Sequence, residues 1–119
     1  MLEITAEKGQ IEAMSRLLAQ EEIDRQLRDL PGWEQDDDAI RAAYDAQSFA
    51  DAVRLVVEVA DEAEQMDHHP DLHLSWVTTT WTLSTHSEGG LTQLDFELAH
   101  RIAQAASRMA ATVHEGAHG

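Results

Sequence analysis

Three of the seven histidines, His68, His69 and His86, stand at the two ends of a strand-forming stretch in the middle of this chain. Imidazole titrates near neutrality, so two such rings in one pocket can give one proton and take another. Glu64, one helical turn before His68, is a carboxylate that could orient one of them or raise its basicity. It falls one turn beyond Ala60 and is expected to leave the helix on the core side. Two blander readings stay open at this level. Histidines at a helix carboxyl end meet the negative pole of the dipole and cap it. A nitrogen-rich metal site could draw on His68, His69, His73 or His86, although adjacent side chains diverge and no HExxH spacing is present. Gly89-Gly90 is common loop punctuation, or bare backbone that lets a flat ligand approach His86.

The elements that would hold these residues follow from periodicity and caps. Leu17, Leu18, Ile23, Leu27 and Leu30 suit a short amphipathic helix within residues 15–30, stopped by Pro31-Gly32. Trp33 opens an extended piece, Asp36-Asp37-Asp38 reads as a hairpin tip, and residues 39–44 fit a strand better than a helix. Ser48 and Asp51 have capping-box spacing and open the best-defined helix. Its expected buried face is Phe49, Val53, Val56, Ala60 and Ala63. Pro70 disfavours helical angles at His69 and ends it. Leu72–Leu74 and residues 78–85 read as strands, the second with Thr79, Trp81 and Leu83 on one side and Thr78, Thr80 and Thr82 on the other. Thr92 and Asp95 form a second capping-box pattern, before a helix with Leu94, Leu98, Ile102, Ala105 and Met109 on one face. Trp33, Trp76 and Trp81 are expected to pack. His73, His100, His114 and His118 are given no role.

Composition narrows the class. The 119 residues make one domain, read as an extension over residues 1–14, a body over 15–112 and a tail over 113–119. With no cysteine there is no disulfide framework or thiolate site, and a reducing cytoplasm fits. A formal charge of −15, from 23 acidic and 8 scattered basic residues, repels phosphate backbones, so direct nucleic-acid binding is not expected. No apolar run reaches membrane-spanning length.

Glu64-x-x-x-His68-His69-Pro70-Asp71, followed by Thr85-His86-x-x-Gly89-Gly90-Leu91-Thr92-x-x-Asp95, resembles the signature of the pterin-4a-carbinolamine dehydratases. The similarity runs upstream through Ala63, Ala60 and Phe49 to Leu30-x-Gly32-Trp33 and downstream to Leu98-Ala99, covering residues 17–106. It implies an α+β fold, a four-stranded antiparallel sheet with helices on one face in the order α-ββ-α-ββ-α. It implies dimers through sheet edges and often tetramers through helices.

The implied activity is that of a hydro-lyase: loss of water from a 4a-hydroxytetrahydropterin to give the quinonoid dihydropterin, which recycles the cofactor of aromatic amino acid hydroxylases. No metal and no cofactor is implied. By matching positions, His68 and His86 take the acid–base roles with Glu64 as supporting carboxylate. His69, Pro70, Thr85, Ser87, Glu88 and Asp95 fall on substrate-binding positions. Leu72 replaces an aromatic residue frequent beside the pocket, Leu94 replaces a basic one, and the hairpin near Asp37 is short for the family. Two other functions remain in view: a dimerisation partner of a homeodomain transcription factor, working through a helix surface, and a pterin-binding protein of altered substrate. Intact His68, His69, His86 and Glu64 favour the enzyme.

Overall fold

A computed structural model describes residues 14–115. Within them the order is α1 (Gln20–Leu27), β1 (Glu34–Asp36), β2 (Ala39–Asp45), α2 (Phe49–Met66), β3 (Asp71–Ser75), β4 (Thr78–Leu83), a 3-10 turn (His86–Glu88), α3 (Gln93–Arg108) and β5 (Thr112–Val113). This is the expected α-ββ-α-ββ-α arrangement with one short strand added. Every pairing is antiparallel, in the order β1-β2-β4-β3. Residues 39–45 are the central strand β2, because alternating Ile40, Ala42 and Tyr44 need one buried face.

β4 alternates as its pattern demands, with Thr79, Trp81 and Leu83 buried. These side chains join Ile40 and Tyr44 against Leu55 and Val59 of α2 and Phe96, Leu98 and Ile102 of α3. The Trp81 indole N–H donates to the Thr79 hydroxyl at 2.9 Å, so a polar pair sits satisfied within the apolar layer. Trp33 is buried as well, its Nε1–H donating to the Tyr44 phenol oxygen at 2.9 Å. Trp76 departs from expectation. It occupies the β3–β4 turn at φ 51° and is 76% exposed.

α2 is turned about its axis relative to the face expected from the sequence, of which Ala63 is buried and Val56 packs against the core while Phe49, Val53 and Ala60 face solvent. Ala52, Leu55, Val59 and Ala63 face the core, while Phe49, Val53 and Val57 are 54%, 38% and 65% exposed. Ala60 also faces solvent. The centres of the expected and the buried faces lie about 80° apart round the helix at 3.6 residues per turn. Both have the spacing of a buried face, so periodicity alone cannot rank them. The rotation carries Glu64 out to solvent, correcting its expected place beside the core.

The chain after α3 was expected to fray from residue 112. Instead Thr112–Val113 pair with Asp45 and Tyr44 of β2, continuing the edge that β1 begins. The His114 amide donates to the Ala43 carbonyl at 2.9 Å, and the His114 ring meets Asp45 at 2.7 Å. Gly32, at φ 88°, makes the room. A Cβ there would come within 2.8 Å of the Val113 methyls. Gly32 therefore serves both as turn residue and as floor for β5. Residues 1–13 and 116–119, with most of the expected extension, the end of the tail and His118, lie outside the described residues.

Candidate functional site

Two helix ends and one turn bring the central candidates together. α2 stops in a Schellman-type reversal, in which Asp67 adopts the left-handed region at φ 50°. The Asp67 amide donates to the Glu64 carbonyl at 3.2 Å and the His68 amide to the Ala63 carbonyl at 3.1 Å. Aspartate tolerates this conformation better than most residues with a Cβ. The reversal turns the His68 side chain back towards the amino end of α3, where Asp95 lies. His68 thus caps with its backbone, and its ring is engaged elsewhere.

His68 Nε2 lies 2.7 Å from Asp95 Oδ1, with the His68 side chain 10% exposed and that of Asp95 fully buried. The other oxygen, Oδ2, accepts the Thr85 hydroxyl at 2.8 Å and the Thr92 amide at 3.0 Å. Thr85 Oγ1 and Thr92 Oγ1 are 2.7 Å apart, and the Leu94 amide donates to Thr92 Oγ1 at 3.3 Å. The Thr92–Asp95 capping box expected from the sequence is therefore present and continues into His68. A buried carboxylate is tolerable only when its lone pairs are filled in this way. Among the described residues no buried side-chain nitrogen or oxygen is left unpartnered. Among the described residues His68 Nδ1 has no partner, so that nitrogen is not sealed from solvent.

His86 follows Thr85 directly and opens the 3-10 turn, exposed with Ser87 and Glu88. The turn is closed by Gly89 at φ 75° and by the Thr85 amide donating to the Gly90 carbonyl at 3.0 Å. Backbone geometry thus ties His86 to the threonine that holds Asp95. The Ser87 hydroxyl stands 3.5 Å from Glu88 Oε2. His69 points away from its neighbour, its Nε2 3.2 Å from Glu64 Oε2, with side-chain exposures of 56% and 75%. Pro70 is half-buried between them and β3.

The candidates therefore separate into a buried set of His68, Thr85 and Asp95 and an exposed set of His69, Glu64, His86, Ser87 and Glu88. Thr85 and Asp95, expected at substrate-binding positions, are buried and bonded to each other, with Asp95 also facing His68. Thr92 was read only as a helix cap. Its hydroxyl nonetheless belongs to this chain of hydrogen bonds, and its capping-box spacing was the available signal. No three or more histidines, aspartates or glutamates among the described residues are grouped to hold a metal ion. A separate cavity of about 580 Å³, lined by Glu34, Arg41, Ala43, Thr80, Val113 and His114, opens on the sheet face away from the helices and contains none of the candidates.

Residues 16–105 match the family described as pterin 4 alpha carbinolamine dehydratase. A putative pterin-4-alpha-carbinolamine dehydratase of Mycobacterium avium is 48% identical over 86 residues, covering 72% of this chain and 92% of the relative. One from Nocardia farcinica is 48% identical over 88 residues, covering 74% and 93%. The crystal structure of a transcriptional coactivator/pterin dehydratase from Brucella melitensis is similar with a TM-score of 0.74 and 33% identity, over 76% of this chain and 99% of that one.

Proposed function

Since this chain belongs to the pterin 4 alpha carbinolamine dehydratase family, we propose that it removes water from a 4a-hydroxytetrahydropterin to give the quinonoid dihydropterin. Ring nitrogens release electrons to expel the 4a-hydroxyl. An acid protonates that leaving group as water while a base takes a nitrogen-bound proton. His68 and His86 fill these two roles, approaching the site from the end of α2 and from the 3-10 turn. The observation that carries the reading is His68 itself, a nearly buried ring held at 2.7 Å by a buried carboxylate with its other nitrogen open. Such a ring is positioned before substrate arrives, which lowers the cost of reaching the reactive geometry.

His69, Pro70, Ser87 and Glu88 border the approach to these rings and contact the pterin. Glu64 supports His69 from the solvent side. The reaction recycles the cofactor of aromatic amino acid hydroxylases, and the cysteine-free chain works in the cytoplasm. No helix of the described residues is long and apolar enough to cross a membrane.

The working form is a homodimer or homotetramer. Two features support assembly: the outer edge of β3, which among the described residues pairs only with β4, and the outward stripe of Phe49, Val53 and Val57 on α2. The same stripe favours the second reading, a binding module that acts through a helix surface, as a coactivator would.

Stopped-flow dehydration of synthetic 4a-hydroxytetrahydropterin, with chelator present, tests the enzyme. Acceleration over the spontaneous reaction, lost in His68→Ala and His86→Ala, is expected. A folded protein that gives no acceleration would overturn the dehydratase reading. Light scattering on the same samples gives the copy number, and a mass of one chain at assay concentration would remove the assembly.

A further inference from the structure

The hydrogen-bond directions around Asp95 can be assigned one after another, and they end on a ring proton. The Leu94 and Thr92 amides can only donate, to Thr92 Oγ1 and to Asp95 Oδ2. A carboxylate only accepts, so the Thr85 hydroxyl gives its one proton to Oδ2. With that proton spent, Thr85 Oγ1 must accept in its 2.7 Å contact with Thr92 Oγ1, which makes the Thr92 hydroxyl the donor. The chain therefore runs from the Leu94 amide through Thr92 and Thr85 to the carboxylate. Asp95 Oδ1 is left facing His68 Nε2 at 2.7 Å, and this contact requires a proton on Nε2.

We propose that Asp95, fixed by Thr85 and Thr92, is a positioning residue that holds neutral His68 as the Nε2–H tautomer, so that its solvent-facing Nδ1 carries the reactive lone pair. Asp95 and Thr85 then act on the substrate only through His68, as their burial at 0% and 5% exposure demands. His68 becomes the base of the reaction. A proton lifted from the substrate nitrogen binds at Nδ1, and the resulting imidazolium keeps its Nε2–H on Asp95, where the carboxylate balances its charge. His86, unconstrained on the exposed turn, protonates the leaving hydroxyl. The tautomer assignment stands on geometry alone, and only its kinetic consequence rests on the dehydratase reading.

Asp95→Asn is the decisive substitution because its amide has only one way to fit. The Thr92 amide must find an oxygen at the Oδ2 position, which places the new NH2 group 2.7 Å from His68 Nε2. A donor there needs a bare Nε2, so the ring proton moves to Nδ1 and the reactive lone pair is lost.

Long-range ¹H–¹⁵N correlation spectra of the full-length labelled protein at about pH 8.5, where imidazoles are ordinarily neutral, read the tautomer directly. His68→Gln assigns the ring signals. Wild type should show His68 protonated on Nε2, and Asp95→Asn should show the proton on Nδ1. In the dehydration assay Asp95→Asn should lose roughly 10²-fold or more in kcat, with KM within about twofold. Thr85→Val should lose less, and Thr85→Ser should restore the wild-type rate. Should Asp95→Asn not fold, the wild-type spectrum and the Thr85 pair still decide. An Nδ1–H ring in wild type, an unchanged tautomer in folded Asp95→Asn, or equal rates for Thr85→Val and wild type would overturn the assignment. If the wild-type protein dehydrates nothing yet shows the Nε2–H ring, the enzyme reading falls and the tautomer assignment stands.

Discussion

Glu64 and His69 meet at 3.2 Å in open solvent, whereas His68, the preceding residue, meets Asp95 at 2.7 Å out of it. Two adjacent imidazoles thus carry carboxylate partners in opposite environments, and the partners should behave differently when removed. An exposed ion pair is screened and entropically costly to hold. Glu64→Gln should therefore leave the urea midpoint where it is and slow dehydration only severalfold, through KM more than kcat. A loss as deep as that of His68→Ala would show that Glu64 reaches the reacting atoms.

His68→Ala and His86→Ala should both abolish most activity yet part company in stability. Removing His68 takes one hydrogen bond from the buried Asp95 carboxylate, which costs about 2–3 kcal/mol. His86 is exposed and bonds to no other side chain among the described residues, so its loss should cost less than about 0.5 kcal/mol. Urea unfolding of the two variants side by side makes the comparison. Equal losses would mean that Asp95 finds another partner.

Tyr44→Phe removes only the acceptor of the Trp33 indole N–H, yet it leaves that donor buried and unsatisfied. The expected cost is about 1–3 kcal/mol. Burial raises the Tyr44 phenol above its ordinary range, and the Trp33 hydrogen bond lowers it by less. A raised value in the folded state means that the Tyr44 contribution is complete below the ordinary phenol range near about pH 10 and is lost as pH climbs towards the higher folded value. Alkaline titration of stability should therefore bring wild type and Tyr44→Phe closer together above that range. A gap that stays constant would contradict the burial of this hydroxyl.

Asp45 fastens β5 to the sheet. Burial pushes its carboxyl up, but the Thr78 hydroxyl at 2.6 Å and the hydrogen bond and charge of His114 together pull it further down. A lowered folded value gives stability that is present above the ordinary carboxylate range, about pH 3.9, and is lost as pH falls through the folded value. Asp45→Asn should accordingly be less stable than wild type at pH 7, with the gap closing on the acid side of pH 4. Chemical denaturation at a series of pH values would detect it, and a gap that persists into acid would show the ion pair to be irrelevant.

Local signals in the sequence were sufficient wherever one face, one cap or one turn residue decided the outcome. The alternation of Thr79, Trp81 and Leu83, the caps at Ser48 and Thr92, and the Asp37 turn all lie where pattern placed them. The family signature picked out His68 and Asp95, which the fold joins, and Thr85, which the fold ties to Asp95. What escaped were choices made by distant parts of the chain. Which stripe of α2 turns inward depends on the helices and sheet beneath it. Residues 112–113 become sheet because Gly32 leaves a space and Asp45 meets the His114 ring that follows, both remote in sequence. Asp95 falls on a substrate-binding position by the signature, and only the folded chain shows the three hydrogen bonds that enclose its carboxylate.

The placement of β2 sorts the backbone amides by their access to water. Its residues pair with β4 along one side and with β1 and β5 along the other, so their hydrogens wait for the whole fold to open. Among the described residues β3 pairs on one side only, with β4, which leaves its outer edge without a strand. Deuterium should therefore enter the two strands at widely different rates. Slower entry into β3 as protein concentration rises would report a neighbour lying along that edge.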